Sequence, residues 1–458
     1  MVRSSVLLLA GVTGLSTIVA ALPATAMPAP AGIQASQDFP PFEKIAEGFT
    51  EVAPGDGTRG LYRVWVNKKT QRSIAELPRN FEKQDLFFAW TVASGVQTSA
   101  VQTGDQYARW KRFGKRLALV EPNYQTISSG DKQSKDATQR VFTDRVILEV
   151  PILAMGPGGG PVIDLNGLFV NKATSFFGRV AAGANTRLAT VEKAKTFPGN
   201  VELCYQMPLS NGRFAKLYYS IASIPSNTGY RPREADDRVG YFTTSIQDLG
   251  DPAADTPWKR YVNRWHLEKA DPSLRMSPPK KPIVFYVEHT VPVRYRRWVR
   301  DGILEWNRAF EEIGFVNAVE VYQQDKLTGA HMDKDPEDAR YNFMVWTNAN
   351  MGFAIGPSRV HPRTGQILDA DIVMDEGFVS SWVDTWERQI PHAAMESLGT
   401  ETIEWLIDNP DFDPRVILAA PQDRDQVASK IAERYEELRG KGLRAMHPSL
   451  DGTGKIIA

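Results

Sequence analysis

Short runs of alternating bulky apolar and polar residues dominate the first half of the chain. Leu61-Tyr62-Arg63-Val64-Trp65-Val66 follows this pattern, and residues 85–92 form a compact apolar run. Residues 116–120, 145–150, 201–206 and 216–221 are similar, being short, aromatic and β-branched with turn residues between them. Period-2 patterning of this kind predicts a twisted, largely antiparallel β-rich region. A different pattern begins at residue 283. Residues 283–287 read as a strand, followed by a helix with an apolar stripe of Val299, Ile303, Trp306, Phe310 and Ile313, closed by Gly314. Spacings of three and four place such residues on one helical face. Strands are predicted at 316–321, 341–347 and 367–374, the last behind a Pro362-Arg363-Thr364-Gly365 turn. Beyond Phe378 the pattern is helical, with short helices at 380–390 and 400–407 and a further one marked by Val427, Ile431, Tyr435 and Leu438.

The fold class that follows is α+β. A β-rich antiparallel N-terminal region precedes an α/β half-domain with a helical C-terminal segment. Residues 277–282, Ser-Pro-Pro-Lys-Lys-Pro, read as a linker. The predicted organisation is a signal peptide over 1–26, a flexible leader over 27–41, the β-rich region over 42–276, the linker, and the second domain over 283–458.

Composition narrows the function classes. The 458 residues carry 54 Lys+Arg against 54 Asp+Glu. That balance excludes a strongly basic nucleic-acid binder, and no nucleic-acid partner is expected. The single Cys cannot form an intramolecular disulfide. Arg3, an apolar run over 6–22 and Ala24-Thr25-Ala26 read as a cleavable secretory signal. A secreted or periplasmic location is therefore expected. No later segment has about 18 uncharged apolar residues, so no stable membrane anchor is expected after signal cleavage.

Candidate chemistry is sparse. Of His266, His289, His331, His361, His392 and His447, no two lie within a helical turn of each other, so the paired ligands of a zinc helix do not occur. Gly156-Pro157-Gly158-Gly159-Gly160-Pro161 fails as a phosphate loop, because Pro interrupts it and no Lys-Ser/Thr follows. A surface turn is expected instead. Cys204, inside an apolar strand, reads as a buried structural thiol. Asp333, Asp335, Glu337 and Asp338 fail the calcium-loop test, which leaves a solvated acidic loop. Asp369 and Asp371 lie two apart on a predicted strand and share a face that must be exposed, metal-bound or paired with Arg; a solvated surface is the expectation and a cleft rim the alternative.

Two strings carry a resemblance. Gly302-Ile303-Leu304-Glu305-Trp306-Asn307-Arg308-Ala309-Phe310-Glu311-Glu312-Ile313-Gly314-Phe315 and the 356–372 segment around Pro362-Arg363-Thr364-Gly365 resemble a family of bacterial secreted zinc-dependent metalloproteases. That family is related to the metzincins, and a domain of unknown function precedes its peptidase domain. The resemblance extends with weaker motifs over 42–274. It implies a peptide or protein substrate and zinc as cofactor. It further implies a cleft turn at Pro362, Thr364 and Gly365, and a substrate-pairing edge at Ile367, Asp369, Asp371 and Ile372. The family's H-E-x-x-H helix does not occur in this sequence, so no zinc ligand or catalytic residue is carried over and no zinc is expected to bind. The resemblance thus implies the N-terminal and upper-scaffold portion of a metallopeptidase. Either the chain is cut before the catalytic helix, which an uncovered apolar sheet face favours, or it is a natural short form. The alternative function is that of a non-catalytic, secreted or periplasmic β-rich binding protein.

Overall fold

The computed structural model describes residues 39–55, 57–224 and 228–440. The predicted signal peptide and most of the predicted leader lie outside the described residues. The chain is α+β, rich in antiparallel strands, with a helical C-terminal segment.

Seven strands form the principal N-terminal sheet: β1 (Leu86–Ser94), β2 (Gln102–Phe113), β3 (Arg116–Glu121), β4 (Arg145–Pro151), β5 (Thr190–Thr196), β6 (Asn200–Pro208) and β7 (Phe214–Ser223). Their order is β5-β6-β7-β1-β2-β3-β4, antiparallel throughout. A smaller antiparallel sheet includes Arg63–Asn67, Arg72–Glu76 and Pro161–Asp164. Val64, Ala75 and Ile163 of the small sheet share one buried cluster with Phe88, Leu203, Leu217 and Tyr219 of the large one. The two sheets therefore pack face to face over a common core.

The Gly-rich turn closes this sandwich around a carboxylate. Gly160 N donates to Glu76 Oε1 at 2.9 Å. A Cβ on Gly156 or Gly158 would meet that carboxyl group within 2.7 Å, and one on Gly160 would lie 1.7 Å from the Leu77 carbonyl oxygen. The glycines are there because the turn presses against a buried side chain.

The second unit comprises β8 (Ile283–Val287), α1 (Val293–Leu304), α2 (Trp306–Glu312), β9 (Val319–Gln323), β10 (Asn342–Thr347), β11 (Ala354–Ile355), β12 (Ser358–Val360), β13 (Ile367–Ala370), β14 (Ile372–Asp375) and α3 (Glu376–Asp384). Its sheet runs β9-β8-β10-β14-β11. The first four strands are parallel, and β11 is an antiparallel edge. α1 and α2 cross over between the parallel β8 and β9 and cover one face through Val299, Ile303 and Phe310.

Two helix expectations are corrected here. Trp306 and Ile313 do not face the sheet; each is 65% exposed. The helix is interrupted at Glu305, and the inward position is taken by Asn307, whose amide bonds the backbone of Val319 in both directions. The predicted linker is also pinned: Ser277 is buried, its N–H bonds Gly314 O, and its carbonyl accepts from Val316 N.

Candidate functional site

The expected continuous strand over 367–374 is two strands. β13 pairs with β12, while β14 lies between β10 and β11. A strand with partners on both sides cannot accept a peptide, so β14 is not the substrate-pairing edge. The free edge is the neighbouring β11, whose Ala354 and Ile355 are both exposed. Phe353 O accepts from Asp375 N, which marks residues 353 and 375 as a hydrogen-bonded pair. Ala354 then occupies the alternate position, with N–H and C=O facing outward.

Asp375 holds the support of that edge. Its carboxylate accepts from Met351 N at 2.7 Å, Ala349 N at 2.7 Å, Thr347 Oγ1 at 3.0 Å and the Gly377 N–H at the start of α3. Burial opposes its ionisation, but these donors outweigh burial and hold the carboxyl group below the usual carboxylate range.

Asp369 and Asp371 are not on a solvated face. Both are buried, at 1% and 4% exposure. Arg359, itself buried, donates to Asp369 Oδ2 at 2.7 Å and to Thr91 Oγ1 at 2.8 Å. Gln102 Nε2 bridges the two carboxylates at 3.2 and 2.8 Å, and Phe343 N donates to Asp371 Oδ1 at 2.9 Å. One guanidinium thus serves two buried carboxyl groups. Burial and then the neighbouring Asp369 charge push Asp371 up to about 7. Thr91 and Gln102 belong to the N-terminal sheet, so the cluster is a seam between the two units. Ile367 and Ile372 are half-buried beside it.

The turn expected at the cleft is docked on the same seam. A Cβ on Gly365, whose φ is +74°, would lie 2.8 Å from Val262 O, and Arg264 N donates to Gly365 O at 3.0 Å. The ring of His361 packs on the ring of Tyr107, and the Arg363 guanidinium lies 5.5 Å from the Tyr107 ring. Pro362 and Thr364 are half-buried between these anchors. The turn attaches one unit to the other.

The acidic loop is likewise buried where solvent was expected. Asp335 accepts from Lys193, from Lys195 Nζ at 2.6 Å and from Tyr218 OH at 3.1 Å. Asp338 pairs with Arg340 at 2.6 Å and faces Asn200, which also bonds the fully buried Glu202. Burial, and then Asp338, raise Glu202 well above the ordinary carboxylate range. Burial pushes Glu337 up to about 7. Asp333 alone of the four reaches solvent freely. Cys204, on the same sheet face, is buried, and that burial pushes its thiol up to about 12.

No three His, Cys, Asp or Glu side chains converge as a metal site among the described residues. Of the histidines, the side chains of His392 and His447 lie outside the described residues. No helix among the described residues is long and apolar enough to cross a membrane.

A family model described as a domain of unknown function (DUF5117) matches residues 100–270. This span runs from β2 through β7 to the hairpin of Thr243–Asp248 and Trp258–Val262. It contributes Gln102, Tyr107, Asn200, Glu202 and Tyr218 to the seam. No curated protein and no solved structure matches the chain.

Arg359, Gln102, Thr91 and Glu202 do not stand out as site residues in the sequence alone. The available signal was a charged or amide residue inside an otherwise apolar strand, such as Glu202 between Val201 and Leu203.

Proposed function

We propose that this chain is the substrate-docking and scaffold portion of a secreted or periplasmic zinc-dependent metallopeptidase, and that it binds extended peptide without hydrolysing it. The observation that carries this reading is the antiparallel edge strand β11, exposed at Ala354 and Ile355 beside a sheet that is otherwise parallel. An extended peptide adds to such an edge through backbone hydrogen bonds. The resemblance carried by residues 302–315 and 356–372 supports a peptide as occupant. Hydrolysis would need a zinc-bearing helix that this sequence does not contain, so the chain alone holds and orients substrate. The alternative of a non-catalytic binding protein shares the same edge.

The test is fluorescence anisotropy with unstructured labelled peptides. Ala354→Pro removes the outward N–H at a position where an edge strand tolerates proline. It should weaken binding about tenfold or more, since backbone bonds supply the affinity, and leave the melting temperature unchanged. Equal binding by both proteins removes the edge from the reading. Chelator-sensitive casein cleavage by the chain alone removes the claim that it does not hydrolyse.

A further inference from the structure

Helices α1 and α2 carry a second apolar row, pointing away from the sheet. It consists of Trp298, Gly302, Trp306, Ala309 and Ile313, at spacings of 4, 4, 3 and 4. Trp298 is 66% exposed, and Trp306 and Ile313 are each 65% exposed. Gly302 sits between the indoles as a notch: a Cβ there would meet nothing within 4 Å. Contiguous exposed aromatics on a helix face mark an interaction surface.

The charges along this face are divided end to end. Flanking the row are Arg294 and Arg297 at the N-terminal end, Asp301 in the middle, and Glu305 and Glu312 with Arg308 at the C-terminal end, while Arg296 turns inward to the carbonyls of His289 and Val291. Arg294 contacts Glu376, Arg297 and Arg300 share Asp301, and Arg308 takes Glu305. Glu311 and Glu312 make no ion pair among the described residues. A helix that is basic at one end and acidic at the other is complementary to an antiparallel copy of itself.

We propose that this face is the interface of a two-fold symmetric homodimer, in which the indole of Trp306 of each copy seats in the Gly302 notch of the other. A two-fold contact uses the same patch on both copies, which a self-complementary charge pattern requires. Seating residue 306 over residue 302 centres the axis near Leu304. It also brings the Arg294 end of one helix beside Glu312 of the second copy. Ala309 and Gly302 permit close approach of the two backbones.

Sedimentation velocity of the whole chain across the micromolar range tests this. The wild-type protein should dimerise. Gly302→Leu fills the notch while raising helix propensity, so the fold is retained and dimerisation should weaken about tenfold or more. A merely adhesive apolar patch would gain from the added leucine, so strengthened association overturns the proposal. Glu312→Arg and Arg294→Glu should each weaken dimerisation, and combining them should restore it relative to Arg294→Glu alone. A monomeric wild-type protein, or a double variant no better than the singles, also overturns it.

Discussion

The two faces of the seven-stranded sheet are made by the same strands and meet different neighbours. One face turns Phe88, Leu203, Leu217, Tyr219 and Ile221 into the apolar core of the sandwich. The other turns Thr91, Asn200, Glu202, Tyr218 and Ser220 toward the second unit, all buried, beside a small apolar patch of Phe87 and Ala89 against Ala339 and Leu368. The apolar face gains transfer free energy with every contact, at roughly 25 cal/mol per Å². The polar face trades desolvation against hydrogen bonds and ion pairs, and such trades come close to cancelling. What the polar face supplies is registry, because Gln102, Thr91 and Asn200 find their partners in one relative placement of the two units.

The largest test of this contrast lies on the apolar face. Phe88→Ala should cost about 3–5 kcal/mol, through lost transfer energy and the cavity left behind. Denaturant unfolding checks it, and a loss under about 1 kcal/mol would show the core to be looser than its burial implies.

On the polar face, Arg359→Met leaves Asp369 and Asp371 buried without their cation. A loss of about 3 kcal/mol is expected near neutral pH. It should shrink in mild acid, where the carboxyl groups take up protons. An equal loss at both pH values would mean that the pair is not ionised in the native protein.

Asp371 sharpens the point. Its folded pKa, about 7, lies above the ordinary carboxylate value, so the folded chain binds more protons than the unfolded chain between pH 4 and 7. The stability that this group contributes is full in acid and is lost as pH rises through that window. Asp371→Asn should flatten this fall in a plot of melting temperature against pH. An unchanged slope would place the titration elsewhere.

The smallest effect is expected outside both faces. Glu51 and Arg63 form a two-point pair at 2.8 Å but remain partly exposed. Glu51→Gln should change stability by less than about 1 kcal/mol, as solvated pairs do. A larger loss would indicate that Glu51 holds Arg63 in place beside the buried Glu76.

Much of this fold is legible along the chain. The apolar run at 85–92 overlaps β1 from Leu86, those at 201–206 and 216–221 lie inside β6 and β7, and 283–287 is β8. The acidic loop was harder to read. Asp333, Asp335, Glu337 and Asp338 look solvated in sequence, because the lysines and the tyrosine that receive Asp335 lie more than a hundred residues earlier. The α1–α2 helix misled for a local reason. Two apolar rows run at helical spacing one residue apart, and without knowledge of the break at Glu305 they merge into one stripe.

Strand content, the change of architecture near residue 283 and the lack of a paired-histidine motif can be read from the chain alone, because they depend on residue type and short-range spacing. Which strand keeps a free edge, the burial of Asp369 and Asp371 with Arg359, and the docking of the 362–365 turn emerge only in the folded molecule. Each of these depends on what lies across the sheet, and the chain's local periodicity does not encode the partner on the far side.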